Sequence, residues 1–280
     1  MSRHRLVRRA LGGVAVWQVE PWLERGIVHG FSERGGGVSL HPFHGLNLGL
    51  HVGDDPAHVL ENRRRLCQAL GVLPEALVAG EQVHGADVAV VTPAHMGRGA
   101  QRAADALPGV DALITREAGP VLLGLFADCV PLLLVDPETP AVGLVHAGWR
   151  GTCQGIAARA VEAMARAFGT RPRSCEAVLG PSIGPCCYEV GPEVAERFAG
   201  WAESPVQARE GRLYLDLWAA NRHLLEAAGV PAANIYTAAM CTRCHSDRFF
   251  SYRAAGGHTG RMAAVIGLMG PAGAHAQNWL

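Results

Sequence analysis

Among the residues of this chain, one thiol and two imidazoles have the types and settings best suited to chemistry: His84, Cys129 and His146. Each follows or interrupts an apolar run close to a Gly or Pro, where a strand gives way to a loop. Two imidazoles and a thiolate are donor types that bind Zn²⁺, and three protein ligands leave a fourth position open for a substrate or water. The three are far apart in sequence, unlike the ligands of a zinc-finger knuckle, so spacing alone does not decide. Two other readings stand beside the metal one. A buried Cys with two hydrogen-bonded His is the ordinary outcome of composition. A Cys–His nucleophile pair without metal is the second.

The elements that must position these groups are short and apolar. Val121 to Leu125 and Val130 to Val135 flank Phe126-Ala-Asp-Cys129, and Ala141 to Val145 leads into His146-Ala-Gly-Trp-Arg-Gly151. Continuous Val/Leu runs bounded by Pro and Gly suit strands covered on both faces. Open α/β sheets hold ligands at such strand ends. Upstream, residues 26 to 51 are rich in Gly and His and read as a strand followed by a long, ordered loop. Arg34-Gly-Gly-Gly37 within it reads as a flexible turn or as backbone wrapped close to a ligand. Asp54 to Leu70 is a helix with Asp54 or Asp55 as cap and Pro56 in its first turn, and Gly71 ends it. Its apolar stripe is Val59, Leu60, Leu66 and Leu70. Arg63 to Arg65 read as a solvated face, with Asn62 and Arg63 able to point at an anion.

Further along, Ala76 to Ala79 is a short strand, and Glu81 to Val91 suggests strand, turn, strand around His84. Asp111 to Thr115, Cys175 to Leu179, Ile235 to Met240 and Met262 to Met269 read as strands. Gly155 to Phe168, Pro192 to Phe198 and Leu215 to Ala228 read as helices, the first strongly amphipathic. Mixed strands and helices without a repeat or low-complexity linker predict one mixed α/β domain. Its expected limits are residues 26–270, preceded by a tail and first strand over 1–25 and followed by a tail over 271–280.

Three further motifs carry less. Cys241-Thr-Arg-Cys-His245 matches the haem-attachment pattern, but export and an axial partner are not evident. Gly180-Pro-Ser-Ile-Gly184 matches G-x-S-x-G, yet Pro185-Cys-Cys-Tyr-Glu-Val-Gly-Pro192 is too broken for the helix that a nucleophile elbow needs, so a structural loop is expected. Phe249 to Arg261 reads either as a hairpin around a Phe pair or as an anion or nucleobase contact.

Composition narrows the class. The formal net charge is +0, which gives no support for a nucleic-acid or membrane partner, and no apolar run approaches a membrane span. The basic N-terminus, with Arg3, Arg5, Arg8 and Arg9 before Ala10 to Trp17, reads as a tail and first strand rather than a signal peptide. The 8 Cys lack the spacing of a disulfide scaffold and predict reduced thiols in the cytoplasm. All 25 basic residues are Arg, so lysine Schiff bases, Ser-Lys pairs and Walker-type phosphate loops are excluded.

Taken together, Gln82-Val-His-Gly85, Ala127-Asp-Cys-Val-Pro131, His146-Ala-Gly-Trp-Arg-Gly151, Gly180-Pro-Ser-Ile-Gly184, Phe250-Ser-Tyr-Arg253 and Thr259-Gly-Arg261 resemble the YfiH laccase-domain family. Asn47-Leu-Gly49 and Glu61-Asn-Arg63 resemble its N-terminal motifs. The similarity runs from about Gly26 to Leu268. Members have been labelled laccase-domain proteins, polyphenol oxidases and peptidoglycan editing factors. Cys244 and His245 depart from the family pattern.

The resemblance implies a Zn²⁺ site at His84, Cys129 and His146, and a mixed α/β sandwich akin to the catalytic domain of bacterial deamidating toxins. It implies phosphate-dependent cleavage of adenosine, inosine, guanosine and methylthioadenosine to free base and ribose 1-phosphate, with adenosine deamination in some members. Phosphate should be held by Arg donors and backbone N–H groups, and with Lys absent Arg63, Arg150 and Arg261 are the candidates, with Asn47 beside them through its motif. Asp128 is a candidate proton carrier or support for the metal ligands, or else a strand-end cap. An alternative role is removal of L-Ser from a peptidoglycan precursor by a Cys/His amidase. Copper oxidase chemistry fits less well, since multicopper sites use many paired His and no His-x-His tandem occurs.

Overall fold

The computed structural model describes residues 6–270. Fifteen strands lie among these residues: β1 (Leu6–Leu11), β2 (Val14–Val19), β3 (Ile27–Ser32), β4 (Leu77–Ala79), β5 (Val88–Val90), β6 (Ala112–Thr115), β7 (Val121–Phe126), β8 (Val130–Asp136), β9 (Ala141–Ala147), β10 (Glu176–Leu179), β11 (Glu189–Val190), β12 (Val206–Arg209), β13 (Arg212–Leu215), β14 (Ile235–Thr237) and β15 (Met262–Leu268). The helices are α1 (Glu20–Leu23), α2 (Pro56–Leu70), α3 (Trp149–Cys153), α4 (Ile156–Phe168), α5 (Pro192–Ala195) and α6 (Leu217–Ala227).

Two six-stranded mixed sheets stack face to face. One runs β1-β2-β3-β15-β7-β4 and the other β14-β10-β8-β9-β6-β5. The facing surfaces share one apolar layer, with Phe31, Leu122, Phe126 and Ile266 from the first sheet against Leu113, Leu133, Val142 and Leu144 from the second. The outer face of the first sheet packs on α2 through Leu66 and Cys67. The outer face of the second packs on α4 and α6 through Ile156, Val161, Met164 and Leu225. Central strands are therefore buried on both faces, which is why β7, β8 and β9 read as unbroken apolar runs rather than alternating ones.

The chain changes sheet at two places that matter. Between β4 and β5 it crosses from the first sheet to the second, carrying His84. Between β7 and β8 it crosses again, carrying Asp128 and Cys129. Strand β9 pairs antiparallel with β8, placing His146 opposite Pro131 and Ala147 opposite Val130. The three residues thus converge at one end of the sandwich.

Several sequence expectations need revision. Leu60 is exposed rather than part of the α2 stripe, and its place on the inner face is taken by buried Asn62 and Arg63. Of the cap candidates, Asp55 accepts from the Ala57 N–H at 2.8 Å. Only Val88–Val90 of the 81–91 stretch forms a strand, because residues 81–87 bend around Asp111 instead. Arg212–Leu215 is a strand of a separate three-stranded sheet, β11-β13-β12, so the following helix begins at Leu217. The strand from Ile235 ends at Thr237. At the N-terminus, Arg8 and Arg9 lie within β1, whose hairpin with β2 extends the first sheet. Residues 1–5 and 271–280, with Arg3, Arg5 and the expected C-terminal tail, lie outside the described residues.

Gly36 and Gly37 of Arg34-Gly-Gly-Gly37 approach the protein's own backbone, whereas Gly35 faces open space. A Cβ on Gly37 would fall 2.2 Å from the Gly45 carbonyl oxygen. The long loop is held from α2 by Asn62, which donates to the carbonyls of Asn47 (2.8 Å) and Gly45 (3.3 Å) and to Ser39 Oγ (2.9 Å). Its carboxamide oxygen accepts from the Val38 N–H at 2.8 Å.

Candidate active site

His84, Cys129 and His146 present ligand atoms that all lie within 4.8 Å of one another. His146 is buried, Cys129 half-buried and His84 exposed toward a cavity of about 720 Å³. The imidazole rings of His84 and His146 meet edge to face, with centroids 4.8 Å apart. Gly148 must be bare for this to work: a Cβ there would stand 3.0 Å from Cys129 Sγ and 3.0 Å from His84 Cδ2. Its φ of −75° is open to any residue, so the constraint is space and not backbone freedom.

Asp111 is the residue that sequence reasoning missed. It was visible only as the start of a strand, although a carboxylate ahead of an apolar run could have been asked what it holds. Its Oδ1 lies 2.7 Å from His146 Nδ1 and accepts from the His84 N–H at 3.0 Å. Its Oδ2 accepts from the N–H groups of Val83 (3.1 Å) and Gly85 (2.7 Å). One buried carboxylate thereby fixes the loop of one imidazole and the ring of the other. With Nδ1 engaged, His146 turns Nε2 toward Cys129, which is the arrangement by which a carboxylate orients a metal-bound histidine.

The charges follow from this packing. Burial opposes ionisation of Cys129, but His146 and His84 outweigh it and bring the thiol down to about 6. Burial likewise opposes charge on His146, while Cys129 and Asp111 push it up to about 9. Each group therefore favours the charged form of the other, a thiolate beside an imidazolium. A bound cation would replace that imidazolium proton as the thiolate's partner. The donor set, the open side toward the cavity and the carboxylate behind His146 together fit a three-ligand metal centre.

His84 and Asp128 are two of four non-glycine residues with positive φ among the described residues, at 61° and 88°. Such conformations are strained and persist where surroundings enforce them. For Asp128 the enforcement is explicit. Its Oδ1 accepts from Thr242 Oγ1 (2.6 Å), its Oδ2 from the Arg253 N–H (2.7 Å), and its backbone carbonyl from the Ile183 N–H (2.9 Å).

The cationic candidates separate by environment. Arg63 is buried at the cavity wall and donates to carbonyls of Leu48 (2.9 Å), Gly99 (2.6 Å) and Ala100 (2.7 Å). Burial lowers its pKa to about 10, opposed only in part by the Cys67 thiol, and among the described residues it has no carboxylate partner. By contrast Arg64 and Arg65 pair outward with Glu61. Arg261 lines the same cavity, donates to the carbonyls of Thr259 and Gly260, and stacks over Tyr252. Arg150 lies over the Trp149 ring at the cavity rim. Asn47 stands behind the wall, where its carboxamide oxygen accepts from the Arg261 and Gly49 N–H groups. His51, also unremarked in the sequence, faces the cavity between these cations. Burial, then Arg261, Arg63 and His146, lower it to about 4 and keep it neutral.

Within the other motifs, Ser182 and the Phe pair are structural, while Tyr252, Arg253 and Arg261 line the cavity. Ser182 is buried, accepts from Trp218 Nε1 (2.6 Å) and donates to the Gly180 carbonyl. Phe249 and Phe250 are core residues.

The fold and the site define a class: a two-sheet α/β protein with a His–Cys–His centre opening onto an Arg-lined cavity. Residues 28–269 match the family described as multi-copper polyphenol oxidoreductase laccase. The chain is 48% identical over 247 residues to purine nucleoside phosphorylase YlmD of Geobacillus stearothermophilus, covering 86% of this chain and 90% of that one. It is 43% identical over 240 residues to adenosine deaminase RL5 of an unknown prokaryotic organism, covering 84% and 91%. The crystal structure of hypothetical protein YfiH of Bacillus licheniformis superposes with a TM-score of 0.88 at 37% identity, covering 93% and 98%. The chain belongs to the YfiH family of laccase-domain proteins.

Proposed function

We propose that the cavity carries out zinc-dependent phosphorolysis of purine nucleosides, adenosine, inosine, guanosine and methylthioadenosine among them. The observation that carries this reading is the meeting, in one cavity, of the His84–Cys129–His146 centre with the buried, carboxylate-free guanidinium of Arg63. A buried cation of that kind suits an anionic co-substrate, and relatives named purine nucleoside phosphorylase fit phosphate as that anion. His84, Cys129 and His146 would hold Zn²⁺, which supplies positive charge at the cavity floor when bound. Two N and one S donor suit zinc, and the absence of His-x-His tandems speaks against a multicopper centre.

In the reaction the bond between ribose C1′ and the base nitrogen breaks, a bond from C1′ to an oxygen of hydrogen phosphate forms, and the base nitrogen takes the proton that the hydrogen phosphate gives up. Arg63, Arg261 and Arg150 hold and orient phosphate, and neutral His51 offers it a hydrogen bond without competing charge. Asn47 positions Arg261 through its backbone. Asp128, clamped by Thr242 and Arg253, carries the proton toward the leaving base. Asp111 keeps both imidazoles in place. The free thiols suit the reducing cytoplasm.

A second activity, adenosine deamination, is favoured by the relative named adenosine deaminase and by a centre with an open position for water. Incubating the zinc-loaded protein with adenosine, with and without phosphate, and separating the products tests both. Adenine appearing only with phosphate supports phosphorolysis, and inosine supports deamination. Neither product, over long incubation at high enzyme concentration, rules out both.

A further inference from the structure

We infer that the chain holds a second metal ion, a single thiophilic divalent cation such as Zn²⁺, between Cys186, Cys187, Cys241 and Cys244. The four sulfurs lie within 4.8 Å of one another, in a group separate from His84, Cys129 and His146. Two separations are 3.6 Å (Cys186 to Cys244) and 3.4 Å (Cys187 to Cys244). Tetrahedral zinc with Zn–S bonds of about 2.3 Å sets its sulfurs roughly 3.8 Å apart, so little movement is needed to close on one ion. A disulfide would demand an S–S distance of about 2.05 Å, and at most two of the four could gain from each such bond. An iron–sulfur cube spreads its thiolates wider than a single ion does.

The backbone around the cluster has the features of a metal knuckle. Cys241 and Cys244 form a C-x-x-C on a turn, with the His245 N–H donating to the Cys241 carbonyl at 3.0 Å. The Cys241 sulfur also accepts backbone N–H bonds from Gly184 and Cys244. Adjacent Cys186 and Cys187 come from the turn after Gly184, where the Cys187 N–H donates to the Gly184 carbonyl at 2.9 Å. Four thiolates fill a tetrahedral shell and leave no open position, which is the pattern of a structural site.

Its place in the fold gives it a task. The two loops it would join meet at the Ser182–Cys241 bridge. They are the loops that clamp Asp128, through Ile183 on one side and Thr242 and Arg253 on the other. Tyr188 and Tyr252, which line the cavity, follow the cysteines on the same loops. An ion at the four thiols would lock that clamp from the outside. This inference does not depend on the reaction assigned to the cavity.

Elemental analysis of the full-length protein, purified without chelator, tests it. The wild-type chain should carry about two zinc ions, and Cys186→Ser/Cys244→Ser and Cys129→Ala about one each. If the double variant does not fold, the Cys129→Ala protein loaded with Co²⁺ serves instead. It should show the intense thiolate-to-cobalt charge transfer and tetrahedral d–d bands of a four-sulfur site, and chelator should lower its melting temperature. A wild-type chain whose metal disappears entirely in Cys129→Ala, or a cobalt spectrum without thiolate bands, overturns the inference. So does a thiol count below eight in the unfolded, metal-stripped protein, which would mean that the cluster closes as a disulfide.

Discussion

At the scale of single residues, the centre depends as much on what supports the ligands as on the ligands themselves. Asp111→Asn leaves the fold in place but removes charge from behind His146 and weakens acceptance from three N–H groups. Metal affinity should fall about 10- to 100-fold, read by competition with a chromophoric chelator. An unchanged affinity would leave Asp111 as a loop anchor only. Gly148→Ala places a methyl 3.0 Å from both Cys129 and His84 and should lower metal occupancy while the far-ultraviolet circular dichroism stays native. Arg63→Met should raise the KM for phosphate roughly 10- to 100-fold with a smaller change for nucleoside, the expected loss of a charge-assisted contact. Equal effects on both substrates would argue that Arg63 serves structure alone. The ligand types were legible in the sequence because Cys and His beside loop-forming Gly and Pro stand out. Asp111 and His51 were not, since a lone carboxylate or imidazole acquires meaning only from what the fold brings to it, for Asp111 residues 26 and more positions away.

At the scale of elements, α2 and the crossing loops do the positioning. Asn62 from α2 makes four polar contacts with the loop over residues 38–47, all within the protein interior or at its margin. Asn62→Ala should cost about 2–4 kcal/mol, because several loop groups are left without partners. For a chain of this size that is a fall in Tm of roughly 5–10 °C by calorimetry. The strands β7, β8 and β9 and the helix α4 were legible from apolar runs and helical periodicity. The small sheet over β11, β12 and β13 was not, since its strands are two to four residues long and nearly all half-buried or exposed, and so carry little hydrophobic signal. The polar inner face of α2 broke the apolar stripe and made Leu60 look like its continuation.

At the scale of the whole molecule, the stacked sheets bury ionisable groups whose state depends on folding. His29 sits between the sheets and α1, with Nε2 accepting from the Val19 N–H (2.7 Å) and Nδ1 facing the Ile27 carbonyl (2.9 Å). Burial lowers its pKa to about 4. The unfolded chain therefore binds a proton between roughly pH 6.5 and 4 that the folded chain refuses. Stability contributed by neutral His29 is fully present above about 6.5 and declines as the pH falls to about 4, by about 3 kcal/mol. A Tm profile against pH should show this decline, and His29→Gln should flatten it. Equal slopes in the two proteins would count against the assignment. The two-sheet stacking itself was only partly legible. Mixed α/β character follows from the alternation of elements, but which strands share a sheet depends on crossings that local pattern does not encode.

Turnover should depend on metal occupancy at His84, Cys129 and His146. Zinc content and phosphate-dependent release of adenine from adenosine should be measured side by side in the wild-type protein and in Cys129→Ala. Cys129→Ala should lose the ion at this centre, and its turnover should fall by about three orders of magnitude or more, the scale expected when a metal's transition-state contribution of several kcal/mol is removed. A Cys129→Ala protein without the ion that still released adenine at the wild-type rate would contradict that dependence.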